Sequence, residues 1–295
     1  MNRFWLLCGL TGLRAFGFLS DPWLASAEIH RVTGEPFRVE QAAAIRGELD
    51  VLTWNIERGL AYDSILSVLR SLNPDVILLQ EADQGCRRTG YRNVPKDLAT
   101  ALDMNWVAAG EFEELGESRG RGAAITGQAI LSRLPIFRAE GLGFRTQDRW
   151  RWSINPLQPR RGGRLALRAV IGGVVMYSTH IESGRNEGLQ QRQMAEILAD
   201  QATQNADTPV LIAGDFNNAT VFGSRTLQSL ARASFVDALG DASHRAPTSL
   251  GQSHPIDWIF IKQLGVTLGR VVPAPAASDH SPVIARLSAS ASVAR

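Results

Sequence analysis

Short apolar blocks alternate with polar breakers along this chain, and two periods are visible. LDVLTWNI (49–56), DVILLQ (75–80), QAILS (128–132), LALRAVI (165–171), VVMYSTH (174–180), PVLIAG (209–214), IDWIFI (256–261) and PVIARL (282–287) are apolar and bounded by breakers, which predicts buried strands. Between them Ile65, Leu66, Val68, Leu69 and Leu72 keep the spacing of one helical face, and Asn73-Pro74 stops that helix. Leu189, Met194, Ile197 and Leu198 predict a second helix before Pro209, and a weaker one covers 94–103. LALRAVI and VVMYSTH are separated only by Gly172-Gly173, a tight hairpin signal, so the sheet should be mixed rather than purely parallel. The expectation is helix-covered sheets in one domain over 49–287, with a lead-in at 28–48 and an Ala/Ser-rich tail at 288–295.

The first 27 residues follow a different pattern. Asn2-Arg3 precedes the apolar run FWLLCGLTGL, and Ala25-Ser26-Ala27 precedes Glu28, the layout of a secretory signal peptide. The run falls well short of the roughly 20 apolar residues of a membrane span, so no permanent span is expected. The expected location is secreted or periplasmic, and cytoplasmic if the leader is not a signal. Removing 1–27 takes away Arg3, Arg14 and Asp21, lowers the formal charge from +2 to +1, and leaves Cys86 as the one cysteine, so no intramolecular disulfide is expected.

With 44% hydrophobic and 20% charged residues, the composition excludes disordered and fibrous classes. Of 31 basic residues only Lys96 and Lys262 are lysines. That bias fits either GC-rich coding or phosphate recognition by guanidinium forks.

Chemistry concentrates where the predicted strands end: Asn55, Glu81, His180, Asp215 with Asn217, Asp257, and Asp279-His280. A lone strand-end Asp or Asn is usually a turn former. Acids, amides and two histidines at the ends of different strands instead suggest convergence on one site. Hard oxygen ligands suit Mg²⁺ or Mn²⁺, and histidines with carboxylate partners suit proton transfer and charge stabilisation. No zinc-type Cys/His spacing, GxxxxGK[ST] loop or GxSxG elbow is present. Phosphoester hydrolysis matches this inventory.

The motifs WNI, LLQEAD, GQAILSRLPI, STHIES, AGDFNN, IDWIF and SDHSPV occur in the order found in the endonuclease/exonuclease/phosphatase superfamily, which the chain resembles from about Leu49 to Leu287. The resemblance implies an α/β fold, a four-layer sandwich of two mixed β-sheets packed face to face with helices outside. It implies that Glu81 is the main Mg²⁺ ligand (Mn²⁺ being the alternative), with Asn55 beside it and Asp279 nearby. His280, held by Asp257, contacts the scissile phosphate or transfers protons. Asp215, oriented by Asn217, positions or deprotonates water, and His180 stabilises the transition state. Whether Asp215 or His280 is the base stays open. AP endonucleases of this superfamily carry a tyrosine upstream of the GxAILSR-type strand, and RGRGAAITGQAI has none.

The loop 141–164 holds six arginines and two tryptophans. It fits nucleic-acid contact, insertion at a phospholipid surface, or a solvated connection packing on a sheet edge. Arg87, Arg88, Arg119, Arg121, Trp150, Trp152 and Arg164 are the candidate substrate-binding residues. The acidic run EFEELGE (111–117) reads as a solvated face. The expected protein is a monomeric, Mg²⁺-dependent phosphodiesterase acting on nucleic acid or phospholipid. The alternatives are a phosphomonoesterase on inositol or sugar phosphates and a non-catalytic anion-binding module on the same fold.

Overall fold

All eight predicted strands form, and among the described residues six more join them. The computed structural model describes residues 28–34, 47–148, 158–184, 187–218, 220–221, 223–240 and 247–289. Among these, the first sheet contains β1 (Val32–Gly34), β2 (Glu48–Arg58), β3 (Val76–Gln84), β4 (Asn105–Glu114), β5 (Ile125–Ser132), β7 (Arg160–Gly162), β13 (Leu264–Val271) and β14 (Val283–Ala289). Its order is β1-β4-β5-β3-β2-β14-β13, with β7 also on β4. The second sheet contains β6 (Ile136–Gly143), β8 (Leu165–Ile171), β9 (Val174–His180), β10 (Val210–Asp215), β11 (Val236–Asp237) and β12 (Asp257–Lys262), in the order β11-β12-β10-β9-β8-β6. Parallel β2-β3 and β9-β10 pairs among antiparallel neighbours make both sheets mixed.

Three apolar clusters separate four layers. Leu49, Val51, Leu78, Val107, Ile130, Met176, Leu211, Ile259 and Val283 fill the space between the sheets. On the outer face of the first sheet, Leu52, Trp54 and Ile56 pack against Ile65 and Leu69 of α1 (Tyr62–Leu72) and Leu98 and Leu102 of α2 (Val94–Leu102). On the outer face of the second, Tyr177, Ile212 and Trp258 pack against Met194 and Ile197 of α3 (Glu187–Gln201) and Leu230 of α4 (Arg225–Arg232). Alternation assigns the layers: on β2 the even positions 52, 54 and 56 face helices while Leu49 and Val51 face the other sheet. Each fully buried Leu or Val removes enough apolar surface from water to stabilise by about 1.5–3 kcal/mol. Trp54 and Trp258, next to the chemistry in sequence, are buried in the helix-facing clusters.

Two sequence expectations are corrected. The loop 141–164 is not all loop: its start completes β6 and Arg160–Gly162 pairs with β4 as β7. The acidic run is not all a solvated face, because its first four residues end β4, where Glu111 and Glu114 are 1% exposed and matched by Arg164 and by Arg88. Buried carboxylates require such partners.

Residues 28–34 cross the open edge between the sheets. β1 pairs with β4, and the preceding Ile29 and His30 lie against Gly110, Gly141 and Gly143, where any Cβ would collide with them. His30 Nε2 also lies 3.2 Å from the carbonyl of Gly163. Among the described residues no helix is long and apolar enough to cross a membrane.

Candidate active site

On the second sheet, register brings three chemical side chains together. Asp215 is paired with His180 on β9 and with Asp257 on β12. All three continue the rows that face the first sheet, after Met176 and Ser178, after Leu211 and Ala213, and before Ile259 and Ile261. The apolar interior therefore turns polar at one end. His180 Nε2 lies 3.3 Å from Asp215 Oδ2.

The first sheet closes the site from the opposite side. Asn55 continues the row Leu49, Val51, Thr53, and its amide donates to Asp215 Oδ2 at 3.3 Å and to Glu81 Oε1 at 3.5 Å. A bulge follows Asn55, with Glu57 and Arg58 at φ 46° and 66°, and the Glu57 N–H donates to Asn55 Oδ1. Glu81 sits in the β3 bulge at φ 52°, a left-handed conformation costing a non-glycine residue about 1–2 kcal/mol. Its side chain keeps 25% exposure, with Oε2 3.7 Å from Arg58 Nε and Oε1 4.0 Å from His180 Nδ1.

His280 is fixed on every side. Its Nδ1 lies 2.8 Å from Asp257 Oδ2 and, since a carboxylate only accepts, carries the proton. Its backbone N–H donates to Ser278 Oγ and its carbonyl accepts from Trp54 Nε1. Ser278 Oγ in turn donates to the Asn55 carbonyl at 2.7 Å, joining the two sequence-distant strand ends. Thr248 Oγ1 accepts from the N–H groups of Ile256 and Asp257, which sets the start of β12. His280 Nε2 then points to Asp215 Oδ2 at 3.8 Å.

Electrostatics separate the three titrating groups. Burial, reinforced by Asp257, pushes the Asp215 carboxyl up to about 7, although His280, the Asn217 N–H and the Asn55 amide pull it down. Burial alone would lower His280, but Asp257, Asp215 and Asp279 outweigh it and raise it to about 10. His180 is pushed well below its ordinary value by burial and then by Arg164, His280, Arg160 and Arg58. Near neutral pH the site therefore holds a cationic His280, a neutral His180 and an Asp215 able to exchange a proton. Asp215, Asp257 and His280 also bring one ligand-type atom each within 4.8 Å of one another, a set that could hold a metal only once His280 gives up its proton.

Asn55, Glu81, His180, Asp215, Asp257 and His280 thus converge. Asp279 is exposed beside them, with Oδ1 3.4 Å from Ser278 Oγ. Asn217 holds Asp215 through its backbone, whose N–H donates to Asp215 Oδ1 at 2.9 Å, while its amide donates to the Ile181 carbonyl. Of the predicted substrate residues, Arg88 is committed elsewhere: it makes a two-pronged pair with Asp83 at 2.7 and 2.8 Å and reaches Glu114 at 3.3 Å. Arg87, Arg119 and Arg121 are exposed, with Arg121 over the Tyr91 ring at 4.6 Å. Arg164 is buried and paired with Glu111 at 3.1 Å. Trp150 and Trp152 lie outside the described residues.

A buried polar layer under the site went unread in the sequence. Gln80 Nε2 donates to Thr53 Oγ1 and Ser178 Oγ, Ser178 Oγ donates to Gln128 Oε1, and Gln128 Nε2 donates to Glu111 Oε1, all at 2.9–3.2 Å. The signal was present: period-two counting from Val51, Leu78, Val107 and Met176 puts Thr53, Gln80, Glu111 and Ser178 on the inter-sheet face.

Comparisons with known proteins agree with this architecture. The family model described as Endonuclease/Exonuclease/phosphatase family matches residues 52–280. No curated protein matches the chain. Among solved structures, an endonuclease/exonuclease/phosphatase from Beutenbergia cavernae is similar at TM-score 0.62 and 22% identity, covering 82% of this chain and 72% of that one. The human Nocturnin catalytic domain with bound sulfate is similar at TM-score 0.60 and 16% identity, covering 89% and 98%. An AP endonuclease from Archaeoglobus fulgidus is similar at TM-score 0.58 and 16% identity, covering 80% and 98%. At these identities the structures establish the fold.

Proposed function

Because the chain belongs to the Endonuclease/Exonuclease/phosphatase family, whose hydrolases act on phosphoesters, we propose that it is a divalent-cation-dependent phosphodiesterase. The observation that carries this reading is the meeting of both histidines and the Asn55 amide at Asp215, within 3.8 Å of its Oδ2.

Asp215, with a pKa near 7, takes a proton from the attacking water. The Asn217 N–H and the Asn55 amide aim its two oxygens. His280 is cationic at that pH and its Nε2 faces Asp215 Oδ2 across the site, so with a phosphate bound there it stabilises the charge that develops and supplies a proton to the leaving oxygen. His180 stays neutral and serves as a hydrogen-bond donor. This division favours Asp215 over His280 as the base.

The oxygen donors of Asn55, Glu81 and the exposed Asp279, with no thiol among them, fit Mg²⁺ or Mn²⁺. When bound, such an ion supplies charge neutralisation at the phosphate oxygens. The inter-strand position of Glu81 and its open side chain suit that task.

Turnover with Mg²⁺ of bis-(p-nitrophenyl) phosphate, plasmid DNA, sphingomyelin and p-nitrophenyl phosphate tests the reading. Diester cleavage lost in Asp215→Ala and His280→Ala supports it. Wild-type rates in either variant, or rates unaffected by a chelator, sink it. The leader further suggests export, and mass spectrometry should find Glu28 as the first residue, whereas an intact Met1 on soluble cytoplasmic protein refutes export.

A further inference from the structure

Resting on the phosphoesterase reading, we propose that Arg164 is a preset receptor for a phosphate oxygen and that Glu111 is the positioning residue that presets it. Arg164 lies between β7 and β8 and is immobilised in three ways. Gln147 brackets its backbone, accepting from its N–H at 2.6 Å and donating to its carbonyl at 3.1 Å. Glu111 Oε2 accepts from its Nη1 at 3.1 Å. The Phe112 ring lies 5.4 Å beneath its guanidinium, and 4.2 Å beneath that of Arg160.

The cation so held adjoins the site: Arg164 immediately precedes Leu165, whose carbonyl accepts from Oγ1 of Thr179, the residue before His180, at 3.5 Å. Burial alone would lower Arg164, but Glu111, Glu182, Glu81 and Asp215 hold its pKa above the ordinary value. Glu111 is anchored on its other oxygen by Gln128, and through Ser178 and Gln80 to Thr53. Three of the links adjoin a site residue: Ser178 is two before His180 on one face, Thr53 two before Asn55, and Gln80 immediately before Glu81.

Stability alone does not explain this arrangement. A buried ion pair loses several kcal/mol per ion in desolvation, and an apolar pair of similar volume is often as stable or more so. A guanidinium fixed before substrate arrives, in contrast, binds an anion without losing rotamer freedom at that moment.

The test measures binding of inorganic phosphate by calorimetry and kcat and KM on bis-(p-nitrophenyl) phosphate, in one Mg²⁺ buffer, for the full chain. Glu111→Gln and Arg164→Lys should each weaken phosphate binding about tenfold or more, raise KM, and combine without adding. The apolar double variant Glu111→Met/Arg164→Met keeps the fold testable if an unpaired Arg164 unfolds it, and should melt at or above the wild type while losing phosphate. Unchanged phosphate affinity and KM in Arg164→Lys and in the apolar double variant, or no phosphate binding by the wild type, overturns the proposal. Arg164-dependent phosphate binding without turnover of any ester overturns the hydrolase reading instead and leaves this inference standing.

Discussion

The two sheets supply the site by opposite means. The second presents His180, Asp215 and Asp257 as register partners on three adjacent strands, with side-chain exposure of at most 4%. The first delivers Asn55 and Glu81 at bulges, with Glu57, Arg58 and Glu81 in left-handed conformations, and leaves the Glu81 side chain open to solvent. His280 hangs beside β14 from hydrogen bonds to Ser278 and Trp54 and from its pair with Asp257. A ladder fixes side chains without strain but buries them. Bulges hold a side chain at the rim, where it can meet an incoming ion or substrate, and the strain is tolerated only where neighbours enforce it.

If the ladder side is the proton-transfer half, Asp215→Ala should lower kcat about 10³-fold in steady-state assays. Asp215→Asn should then separate function from stability in the cation-free protein. Burial raises this carboxyl from 3.8 to about 7, so it favours the fold below pH 3.8, and that contribution is lost as pH rises through 7. The variant should melt higher than the wild type at pH 8 and not at pH 3.5, and equal melting at both breaks the contrast.

Asp257→Asn comes next. His280 is raised from 6.5 to about 10, so its contribution is complete below pH 6.5 and lost as pH climbs through 10. Denaturant melts of the cation-free variant should show a loss of about 3 kcal/mol at pH 6 that shrinks toward pH 10.

On the bulged side, Glu81→Gln should raise the Mg²⁺ concentration for half-maximal activity about 10²-fold and leave the fold intact, read from metal titrations. The smallest effect is expected at Thr248. Thr248→Val strands two buried N–H groups and should cost about 1–2 kcal/mol with a fall in kcat at constant KM, while Thr248→Ser restores both.

This contrast also governs what the sequence disclosed. VVMYSTH, PVLIAGD and IDWIF are apolar runs bounded by breakers, so their strands and the placing of His180, Asp215 and Asp257 at strand ends could be read directly, and the motif order matched a known family. Glu111 was misjudged because acidic density was weighed above phase, although Val107 and Ala109 set its face. Arg88 could not be told from a rim arginine, since Asp83 is near in sequence but Glu114 arrives only through the β3-β5-β4 pairing. The bulges left no periodic trace, and β6 and β13, with exposed alternate positions, carry too little apolar signal to stand out.

The crossing of residues 28–34 over the sheet edge sets a timetable for synthesis. His30 meets Gly163, made 133 residues later, and β1 meets β4 some 75 residues on. At about 5–20 residues per second, this segment waits roughly 7 to 27 s after leaving the ribosome before its seat exists. These residues are therefore made well before their seat, as β2 is made before its partner β14, and during that interval the early part of the chain is available to any export or folding factor that binds extended polypeptide.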